Sequence, residues 1–213
     1  MDWDIRIREF LQALVSAAPP SPYRNPYHQR HTVHNLHLFL TRRDRLARTV
    51  FLVGEAPGHR GAAISGVPFT SSAILEREWN DPWGAFGPDL GYQIPGEVTY
   101  ATEATATMVW RGLSETCSDL PLPLTWNAIP FHPVGGTPDS NSSVRRGDLH
   151  FGQSYLEWML DFAPNATVVG VGRAAQTALA EMGHQAHAVR HPSRGGKAAF
   201  LEGIVGVKSQ LSD

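Results

Sequence analysis

Three short segments of this 213-residue chain carry side chains with strong chemical character. Residues 54–59 read Gly-Glu-Ala-Pro-Gly-His after an apolar run, Asn127 ends a second apolar run, and residues 191–196 read His-Pro-Ser-Arg-Gly-Gly. A carboxylate, a planar amide and an imidazole can together grip a planar polar ligand and donate hydrogen bonds to an oxyanion. The segments lie far apart in sequence, so this chemistry requires a fold that brings them together.

The glycine-containing segment at residues 54–59 predicts a tight turn after a strand. Gly54 and Gly58 allow the backbone to approach a ligand closely and to expose its N–H groups. The turn lacks the Lys-Ser/Thr pair of a phosphate-binding P-loop and the third glycine of a dinucleotide fingerprint. Those two cofactor classes are therefore excluded, and a plain strand-to-helix turn is the alternative interpretation.

Asn127, Phe69 and His191 are candidates for holding a base. The amide of Asn127 offers one acceptor and two donors, which match the N3–H and O4 edge of uracil, although a turn-capping asparagine is the alternative. Phe69 could stack on a base or belong to the core. His191 could donate to an oxyanion, and the loop after it could approach a phosphate backbone through its N–H groups, Arg194 and Lys197.

The histidines at positions 28, 31, 34 and 37 recur every third residue. On a helix, each is rotated by about 60° from the one before, so the four cannot face one ion. A solvated surface that could face DNA is the preferred interpretation. Cys117 is the only cysteine, which excludes an intramolecular disulfide and an all-cysteine iron–sulfur or zinc site. We expect neither a metal nor another cofactor.

Alternating strand and helix patterns must position these residues. Helices are predicted at residues 5–17, 28–44, 101–113, 155–162 and 174–182, and strands at 49–53, 122–127, 166–171 and 186–190. Residues 65–96 are predicted to form a loop with short helices, and residues 135–146 a second loop. Such alternation is typical of a mainly parallel α/β sheet with helices on both faces. Ligands of such sheets bind beyond the carboxyl ends of the strands, where the three segments fall.

Length and charge limit the function classes. The chain is long enough for one sizeable core, so we expect a single domain over residues 1–213 that acts as a monomer. With 18 Lys and Arg against 20 Asp and Glu, any contact with nucleic acid requires a local basic patch. The sequence contains no membrane-spanning apolar run and starts without the basic residues of a secretory signal, so a cytoplasmic location is expected.

The ordered motifs resemble those of the uracil-DNA glycosylase superfamily. The resemblance rests on Gly54-Glu-Ala-Pro-Gly58, Gly66-Val-Pro-Phe69, Asn127 and His191-Pro-Ser193, and it extends over roughly residues 23–204, most closely to a bacterial branch. It implies a three-layer α/β/α fold with a central four-stranded, mainly parallel sheet. It also implies hydrolysis of the N-glycosidic bond of deoxyuridine in DNA, with uracil-containing DNA as partner and the bacterial nucleoid as place of action.

The same resemblance implies a role for each matching position. Uracil and the attacking water would be held by Gly54, Glu55, Ala56, Pro57, Gly58 and His59, with Phe69 stacking on the base. Asn127 would read the edge of the base and His191 would stabilise charge on its O2, so the implied catalytic set is Glu55, Asn127 and His191. The implied DNA contacts are Pro130, His132, Pro192, Ser193, Arg194, Gly195 and Lys197.

Several positions depart from the family pattern. Ala56 stands where the fast uracil-specific branch has a water-activating aspartate, and Gly58 stands where that branch has a tyrosine against thymine's methyl group. Arg194 lies near the place of the apolar wedge. Two other function classes therefore stay open: a module that binds uracil or damaged DNA without cleaving it, and a hydrolase of free nucleosides or nucleotides.

Overall fold

A computed structural model describes residues 2–76, 81–96, 102–137 and 139–211. The helices are α1 Trp3–Ser16, α2 Arg30–Thr41, α3 Ala62–Ser65, α4 Ser72–Glu76, α5 Ala104–Cys117, α6 Gln153–Phe162, α7 Arg173–Glu181 and α8 Lys197–Leu211. The strands are β1 Tyr23–Arg24, β2 Val50–Gly54, β3 Leu124–Asn127, β4 His132–Pro133, β5 Thr167–Val171 and β6 His187–Val189. Short 3-10 helices cover Pro26–His28, Pro88–Leu90 and Arg146–Gly152.

The central sheet has four parallel strands in the order β3-β2-β5-β6. From β2 the chain passes to β3 on one side and then crosses back over β2 to β5 and β6 on the other side, so its direction across the sheet reverses after β3. Right-handed crossovers then place α5 on one face and α6 and α7 on the opposite face. The predicted three-layer α/β/α fold with a four-stranded parallel sheet is confirmed.

The core lies on both faces of this sheet. Every residue of β2 is buried, as expected for a central strand covered by helices on each side. On one face, Trp126 of β3 packs against Phe10 of α1, whose ring stacks on Trp158 of α6. On the other face, α8 packs against α5 and β6. The buried apolar side chains form one connected cluster, and the predicted extent of a single domain stays a prediction.

The predicted elements differ from the structure mainly at their ends and at the C-terminus. The second helix begins at Arg30 rather than at residue 28, because Pro26–His28 forms a separate 3-10 turn, and it ends at Thr41. Helix α8 was not predicted, because Gly203 and Gly206 weaken its helical signal. A Cβ atom at Gly203 would lie 2.8 Å from Cγ1 of Val189, so this glycine lets α8 pack closely on β6.

The small sheet beside the main one was also missed. Strands β1 and β4 pair antiparallel over two residues each, which is too short to give a periodic pattern. No helix in the described ranges is both long and apolar enough to cross a membrane.

Candidate active site

A cleft of about 920 Å³ lies beyond the carboxyl ends of the central strands. Its walls come from the turn after β2, the end of β3, the loop before the 3-10 helix Arg146–Gly152, the start of α7 and the loop after β6. The predicted site residues that line it are Glu55, Ala56, Pro57, Gly58, Phe69, Asn127, His191, Ser193 and Arg194. The strand ends therefore bring all three chemically distinctive segments to one place.

Phe69 and Asn127 line the floor of the cleft, and Gly54 packs against both of them without lining the cleft itself. Gly54 pairs with Asn127 across β2 and β3, and the pairing continues past the strands, where the Ala128 N–H donates to the Gly54 carbonyl at 2.8 Å. A Cβ atom at Gly54 would lie 2.6 Å from Cζ of Phe69 and 2.8 Å from Oδ1 of Asn127. Only glycine fits there, so the ring and the amide are held against the same backbone atom.

Phe69 is held in an unusual backbone conformation. Its φ is 56°, in the left-handed region that a residue with a side chain seldom adopts. The indole of Trp110 donates to the Phe69 carbonyl at 3.0 Å, and the hydroxyl of Thr125 donates to the Pro68 carbonyl at 3.0 Å. Strained residues of this kind persist where surrounding contacts fix them, and they cluster at functional sites.

His191 lines the cleft, and its hydrogen bonds define which ring nitrogen carries the proton. Its Nδ1 accepts the backbone N–H of Ser193 at 3.2 Å and lies 2.8 Å from the Ser193 hydroxyl. Because a backbone N–H can only donate, the proton of the neutral ring is on Nε2. Burial lowers the pKa of His191, as do Arg190 and Arg194, against an opposing effect of Glu103. The ring is therefore neutral at physiological pH and keeps one N–H donor for a ligand.

The loop after His191 turns through two successive left-handed residues, Arg194 with φ 52° and Gly195 with φ 77°. Arg194 is exposed and lines the cleft, whereas Lys197 is exposed at the start of α8 outside the lining. Gly196 packs under the loop, since a Cβ atom there would lie 2.1 Å from the His191 carbonyl. Close packing at Gly196 therefore fixes the base of the loop, and the exposed guanidinium of Arg194 lies at its tip.

Glu55 and His59 connect the turn after β2 to the loop that carries Asn141 and Val144. Glu55 is exposed, and Oε1 of its carboxylate accepts the Val144 N–H at 3.3 Å. The backbone N–H of His59 donates to Oδ1 of Asn141 at 2.9 Å. His59 is not among the residues that line the cleft. Nδ1 of the His59 ring also lies 3.1 Å from Oδ1 of Asn141, so Glu55 and His59 both connect the two loops.

Three predicted DNA contacts need correction, because Pro130, His132 and Pro192 are buried. His132 is 0 % exposed, and its Nδ1 lies 2.8 Å from the Pro57 carbonyl. Since a carbonyl only accepts, Nδ1 carries the proton, and burial lowers the pKa of His132. The prediction that these residues touch DNA is wrong, and His132 instead fixes the turn that contains Pro57.

Sequence reasoning missed several residues of the cleft. Besides the predicted Arg194, four arginines of the described ranges line it, although the net charge of the chain is −2: Arg145, Arg146, Arg173 and Arg190. Arg146 forms an ion pair with Glu181 at 2.7 Å. The position of Arg173 directly after β5 was a usable signal, because strand ends meet at one edge. Asn141 and Glu103 also line the cleft, and neither stands at the end of a predicted strand.

The histidine series ties α2 and the turn before it to neighbouring segments. Nε2 of His28 lies 3.1 Å from the Ala17 carbonyl, that of His31 lies 3.0 Å from the Ile64 carbonyl, and that of His34 lies 2.9 Å from the Gly91 carbonyl. In the described part of the chain, no group of three or more His, Cys, Asp or Glu side chains could hold a metal ion. Three of the four histidines thus make separate side-chain contacts to backbone carbonyls.

Neither a protein-family model nor a curated protein sequence matches the chain. Among solved structures, its fold is similar to that of wild-type SMUG2 from Pedobacter heparinus, with a TM-score of 0.66. The two proteins share a fold. The likeness covers 97 % of each chain at 15 % sequence identity.

Proposed function

We propose that the protein is a DNA glycosylase that hydrolyses the N-glycosidic bond of deoxyuridine in DNA and releases uracil. The observation that carries the proposal is the meeting of Phe69, Asn127 and the Nε2 donor of His191 in one cleft. The fold shared with SMUG2, a uracil-DNA glycosylase-family enzyme, supports the same reaction class.

The floor of the cleft suits a planar, uncharged base. The ring of Phe69 offers a stacking face, and the planar amide of Asn127 can pair with N3–H and O4 of uracil. Because both side chains pack against Gly54, their relative position is set by the sheet rather than by flexible contacts. A base must leave the DNA stack to reach this floor, as in other enzymes that act on bases.

The chemical step needs stabilisation of two developing charges. The C1′–N1 bond breaks with its electron pair on uracil, the oxygen of water bonds to C1′, and that water loses a proton. Negative charge then grows on O2 of the base, where a fixed donor is most effective. Neutral His191 can supply this donor without a change in protonation, because Ser193 holds its Nδ1 as an acceptor.

The rim of the cleft suits a polyanion. Arg145, Arg173 and Arg190 line the cleft together with Arg194, and phosphate contacts of such side chains position a duplex without reading its sequence. Arg194 at the loop tip can occupy the space that the extruded nucleotide leaves. One chain supplies every residue invoked here, and we propose that the enzyme acts as a monomer at the nucleoid.

Release of free uracil from an oligonucleotide with one deoxyuridine tests the proposal, with alkali cleavage at the resulting abasic site as readout. We expect release from the uracil strand, and a matched thymine strand tests whether the site discriminates against the methyl group. Residue 58 has no side chain, and the nearest described atom to its Cβ position is Nδ2 of Asn141 at 3.8 Å. Other deaminated bases therefore belong in the same panel.

Each alternative function gives a different result in that panel. A module that only binds DNA gives a stable complex with the uracil strand and no abasic site. A nucleoside hydrolase cleaves deoxyuridine monomer as fast as the oligonucleotide. No release from either single-stranded or double-stranded DNA contradicts the proposed function.

A further inference from the structure

Two of the described residues that line the cleft carry carboxylates, Glu55 and Glu103. The turn after β2 has Ala56 at the position where the family resemblance implies a water-activating aspartate. The positive sugar that forms as uracil departs still requires a negative partner, and the attacking water requires an acceptor. The surroundings of the two carboxylates distinguish which of them can fill this role.

Glu55 is poorly placed for it. Its side chain is exposed, and Oε1 accepts the backbone N–H of Val144 from the facing loop. A carboxylate in water at the cleft edge is strongly screened, so its field at a reacting atom is weak. The hydrogen bond from Val144 gives Glu55 a structural role, because it connects the turn after β2 to the facing loop.

Glu103 is fixed and half-buried at the start of α5. Oε1 accepts the Thr105 N–H at 3.0 Å and Oε2 accepts the Ala106 N–H at 2.6 Å. Each carboxylate oxygen has two lone-pair sites, so each keeps one acceptor site for another partner. The two helix N–H groups therefore orient the Glu103 carboxylate and leave one acceptor site on each oxygen for a ligand.

Glu103 also lies on the wall that joins the floor of the cleft. Its Cγ is 3.3 Å from the position of a Cβ atom at Gly61, and the Thr70 carbonyl is 3.0 Å from that same position. Thr70 follows Phe69, whose ring lies on the floor. The charge of Glu103 acts on His191, since it raises the pKa of that ring against the effect of burial. Glu103 and His191 both line the cleft, so the carboxylate and the proposed oxyanion donor belong to one site.

We infer that Glu103 is a further catalytic residue, whose fixed carboxylate stabilises the positive sugar and holds the attacking water. This inference rests on the proposed function. As the C1′–N1 bond breaks, the water oxygen bonds to C1′, and its proton passes to the Glu103 carboxylate and from there to solvent. The electron pair of the broken bond stays on uracil, which takes up a proton after release.

The competing explanation is that Glu103 only caps α5, and two neutral capping residues separate the two roles. Asparagine and serine are among the best helix caps, so Glu103→Asn preserves the start of the helix while removing the charge. We expect its single-turnover rate of uracil release to fall about 10²-fold, the lower range for a catalytic acid or base. Its melting temperature and its affinity for an oligonucleotide with uncleavable 2′-fluorodeoxyuridine should stay close to those of the wild type.

Two further variants complete the test. Glu103→Asp keeps both the cap and the charge, so it should recover most of the rate that Glu103→Asn loses. Glu115→Gln, an exposed change on the same helix, should leave the rate unchanged. If Glu103→Asn is too unstable to assay, Glu103→Ser against Glu103→Asp makes the same comparison.

The outcomes separate this inference from the proposed function. Uracil release by the wild type, with a wild-type rate for Glu103→Asn or Glu103→Ser, overturns the role of Glu103 and leaves the glycosylase intact. No release by the wild type overturns the proposed function, and the role of Glu103 with it.

Discussion

The floor and the rim of the cleft are built in opposite ways. The floor, formed by Phe69 and Asn127 against Gly54, is packed so tightly that one methyl group added to Gly54 would collide with both side chains. The rim, formed by Arg145, Arg173, Arg190 and Arg194, consists of exposed side chains at element ends and on loops. The floor can therefore select a rigid planar group, while the rim can adjust to a flexible polymer.

Charge follows the same division. Phe69 and Asn127 of the floor are uncharged, whereas all four rim residues are cations. A nucleotide in DNA combines a neutral base with an anionic phosphate, so the uncharged floor suits the base and the cationic rim suits the phosphate. His191 lines the same cleft, and in the proposed function it supplies the donor for the chemical step. Changes in the floor and at His191 should alter the rate of that step, and changes in the rim should alter affinity and its dependence on salt.

The largest expected effect is that of His191→Ala. Removal of a fixed donor to an oxyanion costs about 10²–10³-fold in rate, and this loss should appear in single-turnover uracil release with little change in DNA affinity. Ser193→Ala is the matched variant, because it removes the hydroxyl at Nδ1 but leaves the backbone N–H in place. The single-turnover rate of Ser193→Ala should fall much less than that of His191→Ala. A wild-type rate for His191→Ala would show that a group other than His191 stabilises the charge on the departing base.

Gly54→Ala should have the next largest effect. The new methyl group would lie 2.6 Å from the Phe69 ring and 2.8 Å from the Asn127 amide, so both must shift. A displacement of about 1 Å in a reacting site can cost about 10²-fold in rate. Gly206→Ala on α8 is the control, because a Cβ atom there meets nothing within 4 Å. Equal single-turnover rates for the two variants would show that the floor tolerates movement.

Changes in the rim should be milder and should depend on salt. Loss of one phosphate contact in Arg190→Ala or Arg194→Ala should weaken DNA binding several-fold and reduce the slope of log affinity against log salt by about one. The rate at saturating DNA should change less than the affinity. Arg8→Ala, an exposed change on α1 away from the cleft, is the control for net charge. An unchanged salt slope in both rim variants would exclude these arginines from the DNA interface.

The smallest effect concerns stability against pH. Burial lowers the pKa values of His31, His132 and His191 below the usual 6.5, so at mildly acidic pH the unfolded chain binds more protons than the folded one. The stability that these neutral rings provide is complete above about pH 6.5 and is lost as the pH falls toward the folded-state values.

Urea unfolding at pH 7.5 and 5.5 should therefore show a loss of free energy of unfolding for the wild type. His132→Asn should show a smaller loss, because an amide can replace the donor to Pro57 without binding a proton. Identical losses in the two proteins would mean that His132 does not contribute to the acid sensitivity.

The floor was the part of the site that could be predicted from sequence. Parallel strands end at one edge, so Gly54, Asn127 and the segment at His191 had to meet there. The rim was harder to predict from sequence, because its shape depends on contacts between loops, such as Glu55 with Val144 and His59 with Asn141. No local sequence pattern predicts such contacts between distant loops.

His132 and Glu103 illustrate the two kinds of error. His132 belongs to a motif-rich stretch, but burial under the turn could be read only from the pairing of β4 with β1. Glu103 was overlooked because a glutamate before an alanine-rich helix has an ordinary structural explanation, and only its place in the cleft suggests more.

The most direct measurement is single-turnover release of uracil by the wild-type protein from an oligonucleotide with one deoxyuridine, run beside His191→Ala and Asn127→Ala. An abasic site that forms rapidly with the wild type, and far more slowly with both variants, is the expected result. An intact uracil strand after incubation with excess wild-type protein, in single-stranded and double-stranded form, would contradict the assignment of this cleft as a glycosylase site.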